Sequence, residues 1–149
     1  MTIDAGTDNV VIVEGDASGL AQRIRAGVHE LAADESHVAG GTGTGPNPYQ
    51  LLLAALGSCT SMTLALYARR KQWPLTRVRV QLSHSRVWAH DCARCETQEG
   101  RVDRIERVIT VEGALAADQR QRLIEIAEKC PVHRTLTSEV SIVTRLAGE

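Results

Sequence analysis

Gly40-Gly41-Thr42-Gly43-Thr44-Gly45-Pro46-Asn47-Pro48, followed without a charged residue by Tyr49-Gln50-Leu51-Leu52-Leu53-Ala54-Ala55-Leu56-Gly57-Ser58-Cys59-Thr60-Ser61-Met62-Thr63-Leu64-Ala65-Leu66-Tyr67-Ala68, is the stretch on which the fold turns. Its first part cannot hold a helix or a central strand, because glycine loses the most backbone entropy on ordering and proline lacks the amide donor. Asn47 can accept from an orphan amide of the next turn, and Pro48 suits the first helical position, where its missing N–H would be unpaired anyway. A helix is therefore predicted to start there. Small or apolar side chains then occupy every face, the mark of a helix enclosed by protein. Arg69-Arg70-Lys71 places cations where the macrodipole favours them, and Pro74 forbids continuation, so the helix should end near Lys71. The run matches the ~20 residues a bilayer needs. Gln50, Ser58, Thr60, Ser61 and Thr63 interrupt it, however, and a buried core helix is expected rather than a membrane span.

On the N-terminal side, Val10 to Val13 and then Gln22 to Glu30, punctuated at Gly27, read as a hairpin or meander. On the C-terminal side, Val78, Val80 and Leu82 alternate with polar residues toward Trp88, and Ile105, Ile109 and Val111 repeat the pattern, predicting an antiparallel pair closed at Gly113. Leu123, Ile126, Ala127 and Cys130 recur at helical spacing from Ala117 to Lys129, with Pro131 as the stop. Val140, Ile142 and Leu146 suggest a final strand. This order predicts an α+β fold around an antiparallel sheet, and 149 residues without a linker or repeat predict one domain, 1–149.

Lys plus Arg (17) nearly balance Asp plus Glu (18), so no net field favours nucleic acid or anionic lipid. Met1-Thr2-Ile3-Asp4-Ala5-Gly6 carries neither a basic nor an apolar leader region, and a cytoplasmic location is expected. In a reducing compartment, four cysteines point to catalysis, redox sensing or metal binding before a structural disulfide framework. Cys59 alone reads as an inert core thiol, since free cysteine packs as a small hydrophobe on the stripe of Leu52, Leu56 and Leu66. Cys130 ends an apolar face that must pack on something, and the chargeless helix is the natural partner. That placement permits two facing thiols without establishing them. Cys92-Ala93-Arg94-Cys95 is either half a zinc site, with His84, His90 or Asp91 as completing ligands, or a redox pair, or two exposed loop thiols.

Two segments carry a family resemblance. Gly45 to Thr63, through Asn47-Pro48-Tyr49-Gln50-Leu51-Leu52-Leu53-Ala54-Ala55-Leu56-Gly57-Ser58-Cys59, resembles the first signature of the OsmC/Ohr family of osmotically inducible and organic-hydroperoxide-resistance proteins. Cys130-Pro131-Val132-His133-Arg134-Thr135-Leu136 resembles the second, and the likeness extends over residues 20–146. It is nearest to the OsmC-like domains that also occur fused behind an α/β-hydrolase.

The resemblance implies a curved antiparallel sheet packed on two long central helices in an intertwined homodimer. It implies catalytic roles for Cys59, as the peroxide-attacking thiolate, and Cys130, as the thiol that resolves its sulfenic acid to a disulfide. Organic hydroperoxides would be the substrates and a dithiol, lipoyl-linked in relatives, the reductant, with no metal or organic cofactor and neither nucleic acid nor membrane as partner. In hydroperoxide-resistance relatives an arginine held by a glutamate supports the thiolate. Here Pro48-Tyr49-Gln50 offers no carboxylate, and Arg23, Arg25 and Arg134 are the candidate cations. Tyr49, Gln50, Leu52, Leu56, Met62 and Leu123 are the expected pocket walls. Cys92, Cys95 and His90 remain weak metal candidates. The competing expectation is an OsmC-like dimer that binds a small ligand or senses redox state without turnover.

Overall fold

The computed structural model describes residues 9–148; the segment inspected for a leader, residues 1–6, lies outside them. By backbone contact the chain divides into two compact units, one ending at Leu52 and the other beginning at Leu53.

The first unit is the expected meander. Strands β1 (Val11–Gly15), β2 (Gln22–Ala26) and β3 (His29–Ala33) pair antiparallel in the order β1-β2-β3, with Val13 opposite Ile24 and Ile24 opposite Leu31. Beyond β3, Asp34 organises the glycine-rich loop. Its side chain is 2% exposed and accepts from the Glu35 and Thr42 amides (2.8 and 3.2 Å), the Thr44 amide (3.1 Å) and both threonine hydroxyls, each at 2.7 Å. Hydrogen bonds from Thr42 and Thr44 hold its carboxyl far below the usual carboxylate range. A depressed pKa stabilises the fold above the unfolded value, about 4, and that contribution fades as pH falls through the folded value. We expect the Thr42 and Thr44 amides to stay protected from hydrogen exchange through pH 4 and to lose protection only in stronger acid. Asp34→Asn should expose them already at neutral pH, and equal protection in that variant would count against the assignment.

Helix α1 (Pro48–Lys71) has the predicted bounds. Its start is a reciprocal cap: the Gln50 amide donates to Asn47 Oδ1 (2.8 Å), and the Asn47 amide donates to Gln50 Oε1 (2.9 Å).

In the second unit α1 is followed by β4 (Leu75–Trp88), β5 (Arg101–Gly113), α2 (Ala117–Ala127) and α3 (Pro131–Leu136). β4 and β5 form one long antiparallel hairpin, with Val80 opposite Ile109 and Leu82 opposite Arg107. Antiparallel strands with helices make the α+β class expected, although the strands form two sheets, of three and two strands. The turn from β5 needs Gly113: its φ is +138°, and a Cβ there would stand 2.0 Å from the Pro74 carbonyl oxygen.

α1 buries Leu56, Thr60, Leu64 and Ala68, four residues apart, together with Gly57 and Cys59. The expected stripe differs from this one, since Leu52 and Leu66 are exposed. Leu64, Leu115, Leu123, Ile126 and Ala127 make the main core, closed by Val78, Ile109 and Val111 from the hairpin. Near the other end of the sheet, Gly57 admits Leu82, whose Cδ1 lies 2.7 Å from where a Cβ would be.

Two expectations are corrected. Pro131 does not simply stop a helix reaching Lys129. α2 ends at Ala127, and Pro131 opens α3, so Cys130 caps α3 rather than ending α2. The final strand through Val140, Ile142 and Leu146 is not formed; these residues have no regular secondary structure and are exposed, Ile142 at 84%. An alternating pattern supplies a strand's face, but ladder hydrogen bonds need a neighbouring strand as well.

Candidate active site

Cys59 reaches the interior because α1 turns its buried stripe inward, and Cys130 because α3 starts there. Together with Leu56 the two thiols form a small buried cluster, packed by Leu82, Ile105 and Val132. Both are free cysteines, Cys59 9% exposed and Cys130 fully buried. Burial pushes the Cys59 thiol up; the Val132 amide and the Thr63 side chain hydrogen-bond to it and pull the other way, while the adjoining Cys130 thiol, itself in hydrogen-bonding contact, adds to the rise. Cys130 Sγ accepts from the His133 amide at 3.3 Å and lies 3.9 Å from Thr60 Oγ1.

A guanidinium that sequence reasoning did not single out completes the site. Arg107 Nη1 donates to Thr60 Oγ1 at 2.9 Å, and Nη2 lies 3.2 Å from His133 Nδ1. As guanidinium only donates, Nδ1 accepts, which places the proton of a neutral imidazole on Nε2. Burial, and then the Arg107 charge, lower the His133 pKa, so the ring is neutral at pH 7. Arg107 and His133 open onto a cavity of about 370 Å³ lined also by Leu56, Ile105 and Leu136, with Asp103, Glu128 and Thr137 completing its polar wall. That volume suits a small organic molecule.

Within the three-stranded sheet Arg23 pairs with Glu30, and Arg25 stands 3.7 Å from Glu14, both exposed. Arg134 is exposed on α3. Of the expected walls Leu56 lines the cavity; Leu123 sits in the main core, Tyr49, Leu52 and Met62 are exposed, and Gln50 caps α1. Cys92 and Cys95 are joined in a disulfide at the end of the hairpin, Cα atoms 5.5 Å apart, beside exposed His90. Oxidised sulfur has no thiolate to offer a metal. No group of three or more histidine, cysteine or acidic side chains able to hold a metal ion occurs among the described residues.

An α+β chain with a paired, buried thiol cluster under a short helix is the class of protein these features define. Residues 41–145 match the family described as OsmC-like protein, and the chain belongs to that family. No curated protein sequence matches it. Its fold is similar to that of an OsmC-like protein from Mycoplasma pneumoniae (TM-score 0.67, 18% identity, 85% of each chain covered). It is also similar to an organic hydroperoxide resistance protein from Legionella pneumophila (TM-score 0.61, 19% identity, 86% of this chain and 88% of that one). A third is the organic hydroperoxide resistance protein OhrB of Bacillus subtilis (TM-score 0.58, 21% identity, 86% and 89%).

Proposed function

We propose that the protein is a cysteine-based peroxidase that reduces organic hydroperoxides in oxidative stress defence. The observation that carries this reading is the joint burial of two free thiols, Cys59 and Cys130, in one cluster. Cys59 thiolate attacks the peroxide oxygen, the O–O bond breaks, and the alcohol leaves with a proton, giving Cys59 sulfenic acid. Cys130 displaces that oxygen as water and forms the disulfide, which a dithiol reductant reopens while becoming oxidised itself. The walls Leu56, Ile105 and Leu136 favour an organic substrate over hydrogen peroxide. The working form is a homodimer in the cytoplasm: each unit exposes apolar side chains that a second copy would cover, Val11 and Val13 in the first and Leu66, Val140, Ile142 and Val143 in the second.

The test is a single addition of one equivalent of tert-butyl hydroperoxide to the dithiol-reduced protein. We expect loss of two hydrogens and a Cys59–Cys130 crosslinked peptide by mass spectrometry. Unoxidised thiols, with hydroperoxide left unconsumed in the presence of dithiothreitol, would instead favour a ligand-binding dimer without turnover.

A further inference from the structure

We propose that Arg107 acts on Cys130 through the Thr60 hydroxyl, making it a positioning residue for disulfide closure rather than for the attack on peroxide. This assignment rests on the peroxidase reading. Its basis is the geometry of a single fully buried hydroxyl. Thr60 Oγ1 lies 2.7 Å from the Leu56 carbonyl oxygen, 2.9 Å from Arg107 Nη1 and 3.9 Å from Cys130 Sγ. A hydroxyl has one proton and two lone pairs. With the proton on the Leu56 carbonyl and one lone pair taken by Arg107, the remaining lone pair is turned to Cys130, where it accepts from S–H.

Closure requires the opposite polarity. Cys130 loses its proton, its thiolate attacks the sulfenic sulfur of Cys59, the S–O bond breaks, and the oxygen leaves as water with that proton. Cys130 is oxidised, the Cys59 sulfur is reduced from sulfenic acid to disulfide, and no further reactant is consumed. While Cys130 is a thiolate, Thr60 can swing its proton from Leu56 to the sulfur. Donation from a fixed guanidinium polarises the O–H and strengthens the hydrogen bond it then gives. Among the described residues, the groups that act on the Cys59 thiol are the Val132 amide, Cys130 and Thr63. Arg107 is aimed instead at Thr60 and at His133, whose own amide already donates to Cys130 Sγ.

The other titratable groups around this point are Cys59 from α1, His133 from α3, Glu128 between α2 and α3, and Asp103 from β5, the last held by His84 at 2.9 Å. Burial and the Arg107 charge move the His133 titration to lower pH, away from an alkaline limb.

The experiment is single-turnover oxidation of the reduced full-length chain by one equivalent of tert-butyl hydroperoxide, quenched at intervals with dimedone to trap sulfenic acid and read by intact mass across pH. In Thr60→Val, which leaves the cavity lining intact, Cys59 sulfenic acid should form at close to the wild-type rate, and Arg107→Gln should share the defect that follows. Conversion of that sulfenic acid to the disulfide should slow about tenfold, the scale of one charge-assisted hydrogen bond. The closure profile should also move to higher pH. Arg107→Lys and Thr60→Ser, which restore a charge or a hydroxyl, should recover much of the rate, as loss of folding would not. Unchanged closure in both disruptive variants overturns the assignment, and so does slower sulfenic acid formation with closure unaffected. A wild-type chain whose Cys59 is never oxidised overturns the peroxidase reading first and this assignment with it.

Discussion

Replacing Cys59 by serine is expected to lower dithiothreitol-dependent consumption of cumene hydroperoxide by about a hundredfold or more, to the uncatalysed rate, because an unactivated hydroxyl cannot replace a thiolate as nucleophile. Cys130→Ser should behave differently. Cys59 can still be oxidised once, so one equivalent of hydroperoxide disappears in a burst, and further turnover then depends on external thiol reaching a buried sulfenic acid. The pH profile carries a second signature. Burial pushes the Cys59 thiol up, and the partial relief from the Val132 amide and Thr63 does not reverse the direction. The reactive thiolate is thus scarce at neutral pH, and the rate should climb as pH rises past about 8.5, the ordinary cysteine value. Wild-type turnover surviving in Cys59→Ser would remove that thiol from the mechanism. A rate already at its plateau at pH 7 would show that a cation reaches Cys59.

Long-range order was most legible where several local signals agree. Asn47 and Pro48 start α1, the absence of charge marks it as internal, and the three cations with Pro74 end it, so both ends match the observed Pro48–Lys71. Pro131 was ambiguous because proline both ends one helix and suits the first turn of the next; which role it takes depends on what the following residues pack against. The segment through Val140 and Ile142 has a strand's alternation without a strand neighbour among the described residues. Arg107 was legible but passed over. Ile105, Ile109 and Val111 define the inward face of β5, and residue 107 has the same parity, so a side chain there must point into the protein whatever its charge. A guanidinium at an inward strand position requires a buried acceptor. The acceptor, Thr60, looked in the sequence like one of several small polar interruptions of a chargeless helix, and only tertiary packing brings the two within 2.9 Å. The disulfide between Cys92 and Cys95 chooses among alternatives that their spacing alone left open, of which zinc was the weak one.

Leu123→Ala should cost about 2–5 kcal/mol of stability, the range for truncating a fully buried leucine whose site cannot collapse. Leu123 is 0% exposed on α2 and is held between Leu64 of α1, Leu115, Ile126 and the hairpin residues around Ile109 and Val111. These neighbours come from α1, β5, the loop before α2 and α2 itself, so no single side chain can move to fill the void without losing its own contacts. The next residue supplies the contrast. Ile124, one step around the same helix, is 42% exposed, and Ile124→Ala should cost no more than about 1 kcal/mol. Urea unfolding at one protein concentration measures both, and equal midpoints for the two variants would contradict the packing described. The same pair separates stability from chemistry. Leu123 belongs to the core around Leu64, whereas Cys59 and Cys130 cluster with Leu56, Leu82 and Ile105. At temperatures where Leu123→Ala remains folded, its Cys59 should therefore react with hydroperoxide at the wild-type rate. A loss of reactivity in the folded variant would place Leu123 in the substrate wall after all, and would mean that the two clusters respond as one.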